Sequence, residues 1–567
     1  MLDDTPPTWE MARPFVLRGP SVAEPVRSKS VASSTLIDSP PSPVPPRVGI
    51  LPTYVPPERL ARLAPELPRR QRLVQRLFEM APGATVWFCL LAPLAVGFFV
   101  TFTNAEYLWV LGAFAVVLDL YWLLKLIHTF RFVLRGIRKL EETQAIDWGE
   151  RLRNLAPRPG GPDPAELVHA VLIPTYTERY ETLRATVSAL AEARYPTELK
   201  IVAIITRETD LDGCRNLAQL QEEFGDQFRA FWHIKDPLLP GIVVGKSAAM
   251  AYAGPVLERA LLSLELNPQK VIVTDLDSDY RVHPEYFSYI SYEFCVAEDR
   301  LSSIWQPVPI FLNNLWKVPA AVRSMATLAT QWQLYLHQHP KRLVMFSAYS
   351  MSLEMVSTVG FWDDDVIPED SRFFWKAFFA YGERLNVRGA FMPMYGDAPR
   401  AADYGATLVS QYNQIKRWAW GVTDIPYVAA RMPNHPEIPV RLRAQRFRML
   451  VFNHLSWATV PLLILVAGSL PSIFNYDYGL SNMGATLETV ASLLLETALL
   501  NIVAVAVLDN RMQPRPREWH WWRRRFADLQ TITYPVVFLV LSVIPALEAQ
   551  TRLLFGSHLE YRVTEKH

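Results

Sequence analysis

Five apolar blocks restrict the folds that this chain can adopt. Each is close to the roughly 20 residues that a helix needs to cross a bilayer. The blocks are Ala84–Thr103, Tyr107–Ile127, Met449–Leu470, Leu487–Leu508 and Thr531–Leu547. Arginine-rich clusters flank them at 69–76, 131–139, 441–448 and 511–526. Positive charge favours the cytosolic side of a membrane, so the first two blocks are predicted to form a hairpin with both ends in the cytosol. A pair of buried helices in a soluble protein is the alternative.

The blocks and the composition between them divide the chain into predicted parts. These are a disordered, proline-rich cytosolic extension at 1–80, a transmembrane hairpin at 81–140, a catalytic domain at 160–430, a C-terminal transmembrane region at 440–556 with a basic interfacial segment at 511–526, and a tail at 557–567. Formal net charge is +1, which gives no signature of nucleic-acid binding. The apolar blocks make membrane lipids the expected binding partner. The sequence does not indicate an oligomeric state.

Residues 160–430 alternate between strand and helix patterns. Val168–Ile173 and Leu199–Ile205 are short apolar runs, and Thr182–Ala193 between them has helical periodicity. This alternation predicts an α/β fold of the Rossmann-like kind, with a mostly parallel sheet and crossover helices.

Three alternating carboxylates follow another predicted buried strand, Val271–Thr274. They are Asp275, Asp277 and Asp279. Open α/β sheets bind ligands where their strands end, and carboxylates there can hold a hard divalent cation. Two pairs compete for this role, Asp275 with Asp277 and Asp277 with Asp279. An ordinary acidic loop after a strand is the simpler interpretation of the triplet alone.

Five motifs occur in a fixed order between residues 173 and 418: IPTYTE, GKSAAMAYA, the D-x-D triplet, IPED and QIKRW. Together with the apolar blocks, this order resembles the membrane-integrated family-2 glycosyltransferases, a group that includes cellulose, chitin and hyaluronan synthases. The resemblance covers roughly residues 166–430. It implies a GT-A fold, a nucleotide-sugar donor, Mg²⁺ or Mn²⁺ as cofactor, and inversion at the anomeric carbon.

The resemblance also assigns expected roles on the donor side. Glu178 matches the position near the nucleotide base and ribose. Lys246 matches a basic residue near the donor phosphates, and an anion would favour a cation at that helix start. Taken alone, Lys246 could equally be a solvated surface charge.

Two further motifs supply the remaining expected site residues. Asp370 corresponds to the general base that removes the proton of the acceptor hydroxyl, with Glu369 beside it. Both could instead be an acidic first helical turn. Gln414, Arg417 and Trp418 form Q-x-x-R-W, in which the indole can stack on a sugar and the guanidinium can bind the leaving diphosphate. An amphipathic interface helix is the structural alternative.

One loop departs from the family pattern. Relatives usually carry a D-D-G-S-like loop after the second strand, whose aspartate binds the base. This chain has Thr206–Asp210 there, with Glu208 and Asp210 as the candidate replacements. The departure weakens the expectation of a uridine donor.

These features predict a multi-pass enzyme of the plasma or inner membrane with a cytosolic catalytic domain. The expected reaction is processive sugar transfer to a growing polysaccharide, because Q-x-x-R-W accompanies that behaviour in relatives. A single addition to a lipid acceptor is the alternative within the same class. A non-catalytic membrane scaffold that retains the fold is the alternative of another class. Five crossings would leave the C-terminus outside, whereas the tail at 557–567 resembles one often cytosolic in relatives.

Overall fold

The computed structural model describes residues 44–54, 69–156, 158, 160–237, 242, 245–513 and 515–559. Nine strands form a single sheet within this part of the chain. They are β1 Val48–Ile50, β2 Val168–Pro174, β3 Lys200–Arg207, β4 Ala230–Asp236, β5 Val271–Asp275, β6 Arg281–Val282, β7 Ser303–Ile310, β8 Tyr349–Ser352 and β9 Asn386–Tyr395.

The helices fall into an N-terminal, a central and a C-terminal group. The first two groups are α1 Arg69–Thr103, α2 Trp109–Gln144, α3 Trp148–Arg153, α4 Tyr180–Glu192, α5 Leu211–Phe224, α6 Lys246–Ser263, α7 Tyr286–Val296, α8 Ala320–His337, α9 Leu353–Val359, α10 Glu369–Tyr381, α11 Tyr404–Ala419 and α12 Asp424–Arg431. The third group is α13 Val440–Ala467, α14 Leu470–Phe474, α15 Tyr476–Leu480, α16 Asn482–Met512, α17 Trp521–Leu529, α18 Tyr534–Phe538 and α19 Ile544–Phe555.

The sheet is mostly parallel, and the α/β prediction is confirmed. Its strand order is β1-β4-β3-β2-β5-β8-β7-β9-β6. The first five strands in this order pair in parallel, β8 runs antiparallel to both of its neighbours, and β7 pairs in parallel with β9. Strand β2 lies near the centre and is buried along its whole length, as expected for an apolar strand covered on both faces. The carboxyl ends of β2, β3 and β5 therefore meet at one edge of the sheet.

Part of the predicted N-terminal extension is ordered. Residues 44–54 lie against the sheet with β1 as an edge strand, and residues 69–80 belong to α1, so the expectation of disorder is wrong for both. Residues 1–43 and 55–68 of the predicted extension lie outside the described residues.

Hydrogen bonds explain why this segment docks. The backbone N–H of Leu51 donates to the carbonyl of His233 at 2.9 Å, and the Trp232 indole donates to the Pro46 carbonyl at 2.7 Å. Strand β4 would otherwise present unpaired backbone groups at the edge of the sheet, and a covering strand satisfies them.

Five helical segments among the described residues are long and apolar enough to cross a membrane. They are Leu73–Thr103, Trp109–Gln144, Val440–Ala467, Asn482–Leu500 and Trp521–Phe555. Each overlaps one of the predicted blocks, but most of the helices extend past it because their arginine-rich or polar ends are also helical. The basic segment at 511–526 therefore does not form one element. It includes the last two residues of α16, the connection that follows, and the first six residues of α17. These five helices make a membrane protein the expected class.

A buried histidine in strand β2 makes stability depend on pH. His169 of β2 is fully buried, and its Nε2 lies 2.8 Å from the Ser291 hydroxyl. Burial disfavours the imidazolium and lowers the pKa of His169 to about 3. An unfolded histidine has a pKa of about 6.5. Between the two values the unfolded chain binds a proton that the folded chain excludes, so the free energy of unfolding decreases as the pH falls below about 6.5.

We expect His169→Gln to remove this contribution. At pH 5.5, one unit below the unfolded pKa, the lost stability is about 1.4 kcal/mol for this single group. Thermal unfolding of the detergent-solubilised protein at pH 7.5 and 5.5 would measure it as a smaller drop in Tm for the variant than for the wild type. His435→Gln is the control, since His435 is a partly exposed surface residue paired with Glu437. An equal drop in all three proteins would contradict the prediction.

Candidate active site

A cleft of about 350 Å³ opens at the carboxyl edge of the sheet. This is within the usual size of a small-molecule site. Its walls come from the loops after β2, β3 and β5, the starts of α6 and α10, and the end of α11. Nine of the ten predicted site residues line this cleft: Glu178, Lys246, Asp277, Asp279, Glu369, Asp370, Gln414, Arg417 and Trp418. The tenth, Asp275, is fully buried beneath it.

Four carboxylates surround the ammonium group of Lys246. The Nζ atom lies 2.8 Å from Asp277, 3.0 Å from Glu369, 3.3 Å from Asp275 and 3.7 Å from Asp370. We refer to these four acidic residues as the acidic cage. Burial alone would lower the pKa of Lys246, but the surrounding carboxylates outweigh burial and raise it well above its ordinary value. Lys246 is therefore charged and held at the bottom of the cleft.

Three members of the acidic cage could share one metal ion. Oxygen atoms of Asp275, Glu369 and Asp370 lie within 4.8 Å of one another, a separation compatible with a common divalent cation. Neither carboxylate oxygen of Asp275 has a hydrogen-bond partner among the described residues. Burial raises the pKa of Asp275 well above its ordinary value and that of Glu369 to about 7, and Lys246 opposes both shifts. A buried carboxylate that faces the Lys246 ammonium at 3.3 Å and accepts no hydrogen bond from the described residues suits a cation ligand better than a structural hydrogen-bond acceptor.

Asp279 lies apart from this cluster. One of its oxygens accepts the backbone N–H of Asp397 at 3.1 Å, and its side chain is almost fully buried. The two pairs left open by the sequence are therefore unequal in geometry. Asp275 and Asp277 both reach the Lys246 ammonium, whereas Asp279 supports the loop that follows β9.

The backbone of Ser347 holds the Asp370 carboxylate in place. The Ser347 N–H donates to Asp370 Oδ2 at 2.8 Å, and the Ser347 carbonyl accepts from Lys246 at 3.2 Å. Ser347 has a φ of 58°, which is uncommon for a residue other than glycine. The left-handed backbone of Ser347 turns its N–H and its carbonyl toward the site. No sequence signal separates this serine from its neighbours, because its role depends on that backbone and not on its side chain.

A buried ion pair holds the start of α10 in place. The Arg372 guanidinium donates to Asp424 at 2.9 Å, and the Ser371 hydroxyl donates to the other Asp424 oxygen at 2.6 Å. Asp424 is fully buried and belongs to α12, which follows the Q-x-x-R-W helix after one short turn. The two helices that carry IPED and Q-x-x-R-W are thereby coupled. Sequence reasoning did not find this pair.

The Q-x-x-R-W residues occupy the last turns of α11. All three line the cleft, and the mostly buried Gln414 also accepts a hydrogen bond from the Gln411 side chain at 3.3 Å. The Trp418 ring packs edge-on against Phe346, with ring centroids 5.0 Å apart.

The same helix is attached to the last of the five segments that are long and apolar enough to cross a membrane. On the side away from the cleft, Lys416 pairs with Glu548 of α19 at 3.1 Å, and the Tyr412 hydroxyl donates to Glu548 at 2.7 Å. The position of α11, and with it the Q-x-x-R-W motif, therefore depends on a membrane-proximal helix.

Glu178 lies at the other end of the cleft with its carboxylate already engaged. It accepts the Tyr176 backbone N–H and the Ser278 hydroxyl, the latter at 2.9 Å. Glu178 thus joins the loop after β2 to the D-x-D loop.

Strand β3 ends in an arginine that lines the cleft, within the segment that departs from the family pattern. The Arg207 guanidinium lies 4.2 Å from the centre of the Tyr176 ring, and both residues line the cleft. Asp210 caps α5 by accepting the Gly213 N–H at 2.9 Å, and Glu208 is exposed. Neither candidate replacement for the family's aspartate is among the residues that line the cleft.

The part of the chain that carries most of the acidic residues of this site matches a known protein family. Residues 272–508 match the family model described as glycosyl transferase family group 2. This part of the chain is similar to the glycosyltransferase domains of that family. The matched range includes the D-x-D loop, IPED and Q-x-x-R-W, and it continues through α13 into α16. The protein is therefore a glycosyltransferase, as the order of its motifs predicted. No curated protein matches the sequence.

Two solved glycosyltransferase structures are similar to the chain at low identity. The mannosyltransferase PcManGT from Pyrobaculum calidifontis, in complex with GDP-Man and Mn²⁺, is 12% identical over 73% of this chain and 98% of its own, with a TM-score of 0.39. Residues 1–349 of TarS from S. aureus, in complex with UDP-GlcNAc, are 12% identical over 66% of this chain and 91% of their own, with a TM-score of 0.33.

Proposed function

We propose that the protein is a membrane-bound inverting glycosyltransferase that moves a sugar from a nucleotide-sugar donor to a growing polysaccharide. The observation that carries this proposal is the meeting of the D-x-D strand, the IPED helix and the Q-x-x-R-W helix around one cleft. These elements are far apart in sequence, yet each turns its functional side chains into the same space. Such convergence is what a two-substrate transfer reaction requires.

The donor half of the cleft is built for a diphosphate. Asp275, Asp277 and Glu369 are proposed to hold Mg²⁺ or Mn²⁺, because their oxygens lie within 3.3 Å of the cationic position that Lys246 occupies. Asp370, which could also share an ion with Asp275 and Glu369, lies farther from that position, at 3.7 Å. A divalent ion there would neutralise the diphosphate and favour its departure. Arg417 is proposed to bind the same leaving group, and Glu178 to support the loop that contacts the nucleoside.

The acceptor half is organised around Asp370. One of its oxygens is anchored by the Ser347 N–H, and the other accepts no hydrogen bond from the described residues but lies 3.7 Å from the Lys246 ammonium. A carboxylate oxygen of this kind is suited to take the proton of an acceptor hydroxyl as the sugar bond forms. The Trp418 ring beside it offers an apolar face on which an acceptor sugar can stack.

Donor-dependent release of nucleoside diphosphate tests whether the protein catalyses transfer. The purified protein is given Mn²⁺, a mixed acceptor extract and one nucleotide sugar at a time. Release with one donor and not with the others would support the proposal. Product length then separates the acceptor classes: long chains indicate a processive polysaccharide synthase, and a single sugar on an extracted lipid indicates a lipid acceptor. No release with any donor would favour a membrane scaffold.

The proposed topology places the catalytic domain in the cytosol and the α1–α2 and α14–α15 connections outside. Cysteines introduced at Asn104 and Asn475 of a cysteine-free protein are expected to react with a membrane-impermeant maleimide on intact cells. A cysteine at Asp212, which lies on the exposed side of α5, should react only after the cells are opened. Labelling at 212 in intact cells would contradict the cytosolic assignment.

A further inference from the structure

The acidic cage contains a cation that belongs to the chain itself. Lys246 Nζ lies within 3.3 Å of Asp275, Asp277 and Glu369, and its side chain is only 12% exposed. Its side chain also donates a hydrogen bond to the Ser347 carbonyl at 3.2 Å. The ammonium therefore occupies the position where the three carboxylates would otherwise repel one another.

A divalent ion and this ammonium cannot occupy the cage together. A metal ion lies about 2.0–2.6 Å from its carboxylate ligands. An ion bound by these carboxylates would therefore be within a few ångströms of Nζ. Two cations at that distance in a buried site repel strongly because little water screens them. Either Lys246 moves or the ion stays out.

Lys246 is able to move without a rearrangement of the fold. It is the first residue of α6 and follows Gly245, so its long side chain starts at the edge of the cleft. Four rotatable bonds allow its ammonium to turn into the cleft while the helix stays in place. The space it would enter is that proposed for the donor diphosphate.

We propose that Lys246 is an exchangeable counter-ion: it neutralises the acidic cage before a divalent cation binds, leaves the cage as that cation enters, and then contacts the donor diphosphate. This rests on the metal-dependent donor binding of the proposed function. The exchange has a thermodynamic consequence, because Lys246 competes with the metal but assists the nucleotide. Removing its charge should affect the two affinities in opposite directions.

The test is a titration of Lys246→Met with Mn²⁺ in the absence of any nucleotide, followed by the electron paramagnetic resonance signal of free Mn²⁺. Methionine keeps a long side chain but has no charge. We expect the variant to bind Mn²⁺ about tenfold more tightly than the wild type, or better. At saturating Mn²⁺ it should bind the nucleoside diphosphate of the active donor more weakly. Lys270→Met is the matched control. Lys270 immediately precedes β5, at the end of the strand away from the acidic cage, and pairs with Glu166.

The outcomes separate this inference from the proposed function. Unchanged or weaker Mn²⁺ binding by Lys246→Met, with normal binding by the wild type, would overturn the exchange and leave the metal site standing. If neither protein binds Mn²⁺, Lys246 is a permanent counter-ion, and both the exchange and the metal-dependent mechanism fail.

A second measurement uses the wild-type chain and does not depend on the fold of the variant. Lysine acetylation read by mass spectrometry should modify Lys246 faster in saturating Mg²⁺ than in chelator. Lys270 should be modified equally in both. Equal rates at Lys246 would also overturn the exchange.

Discussion

Asp370→Asn is expected to slow sugar transfer by about 10²–10⁴-fold, which corresponds to roughly 3–5 kcal/mol of barrier. Asparagine has nearly the same size as aspartate, and its amide oxygen can still accept the Ser347 N–H that fixes the native side chain at 2.8 Å. It cannot take a proton from the acceptor hydroxyl. The affinity for the donor should change little, because the base acts on the acceptor and the diphosphate is bound elsewhere in the cleft.

The measurement is the initial rate of nucleoside diphosphate release, with donor affinity determined separately by calorimetry. Asp365→Asn is the matched control: it makes the same chemical change five residues upstream, on a side chain that is 75% exposed. We expect near-normal rates from that control. If Asp370→Asn retains its turnover, or fails to fold, Asp370 is a structural carboxylate of the first turn of α10. Glu369 would then be the next candidate for the base.

Asp277→Asn is expected to abolish transfer through the loss of metal binding, and Asp275→Asn to match it. Both carboxylates approach the cationic position of the acidic cage, at 2.8 and 3.3 Å from Lys246 Nζ. Even residues that only orient metal ligands change metal affinity by about 10–100-fold, so removal of a ligand should cost at least that much. Free Mn²⁺ measured by paramagnetic resonance without a donor gives the affinity directly.

Asp279→Asn distinguishes the two D-x-D pairs. Its carboxylate accepts the Asp397 N–H, a bond that the asparagine amide oxygen can keep, so this change should leave Mn²⁺ affinity close to that of the wild type. A loss of Mn²⁺ binding in Asp279→Asn, with normal binding in Asp275→Asn, would reverse the assignment. Full activity of Asp277→Asn would remove the D-x-D loop from the metal site altogether.

The sequence predicted the parts of this protein whose signals are local. A buried strand such as Val271–Asp275 is recognisable because its apolar, β-branched run ends abruptly in carboxylates. The five helices that are long and apolar enough to cross a membrane are recognisable because a bilayer sets a minimum length and excludes charge from that length. The order of the motifs indicated a glycosyltransferase, and this prediction is confirmed by the family match over residues 272–508. None of these conclusions requires knowledge of which residues are neighbours in space.

Only the tertiary structure decided which carboxylates converge. The sequence offered Asp275, Asp277 and Asp279 as one triplet, but successive positions of a loop point in different directions, and Asp279 turns to the strand-end backbone of Asp397. Glu369 enters the cage instead, because packing places the first turn of α10 beneath the end of β5. Pairings of this kind are set by contacts between distant segments, to which no local pattern corresponds.

The same reason explains the features that the sequence did not reveal. Strand β1 has three residues, too few for a periodic pattern, and it forms because the edge of β4 supplies hydrogen bonds to it. Ser347 is important for its left-handed backbone, which a serine in the sequence does not indicate. Composition, run length and motif order therefore determined the class of this protein, while the chemistry of its site was decided by side chains that only the folded chain brings together.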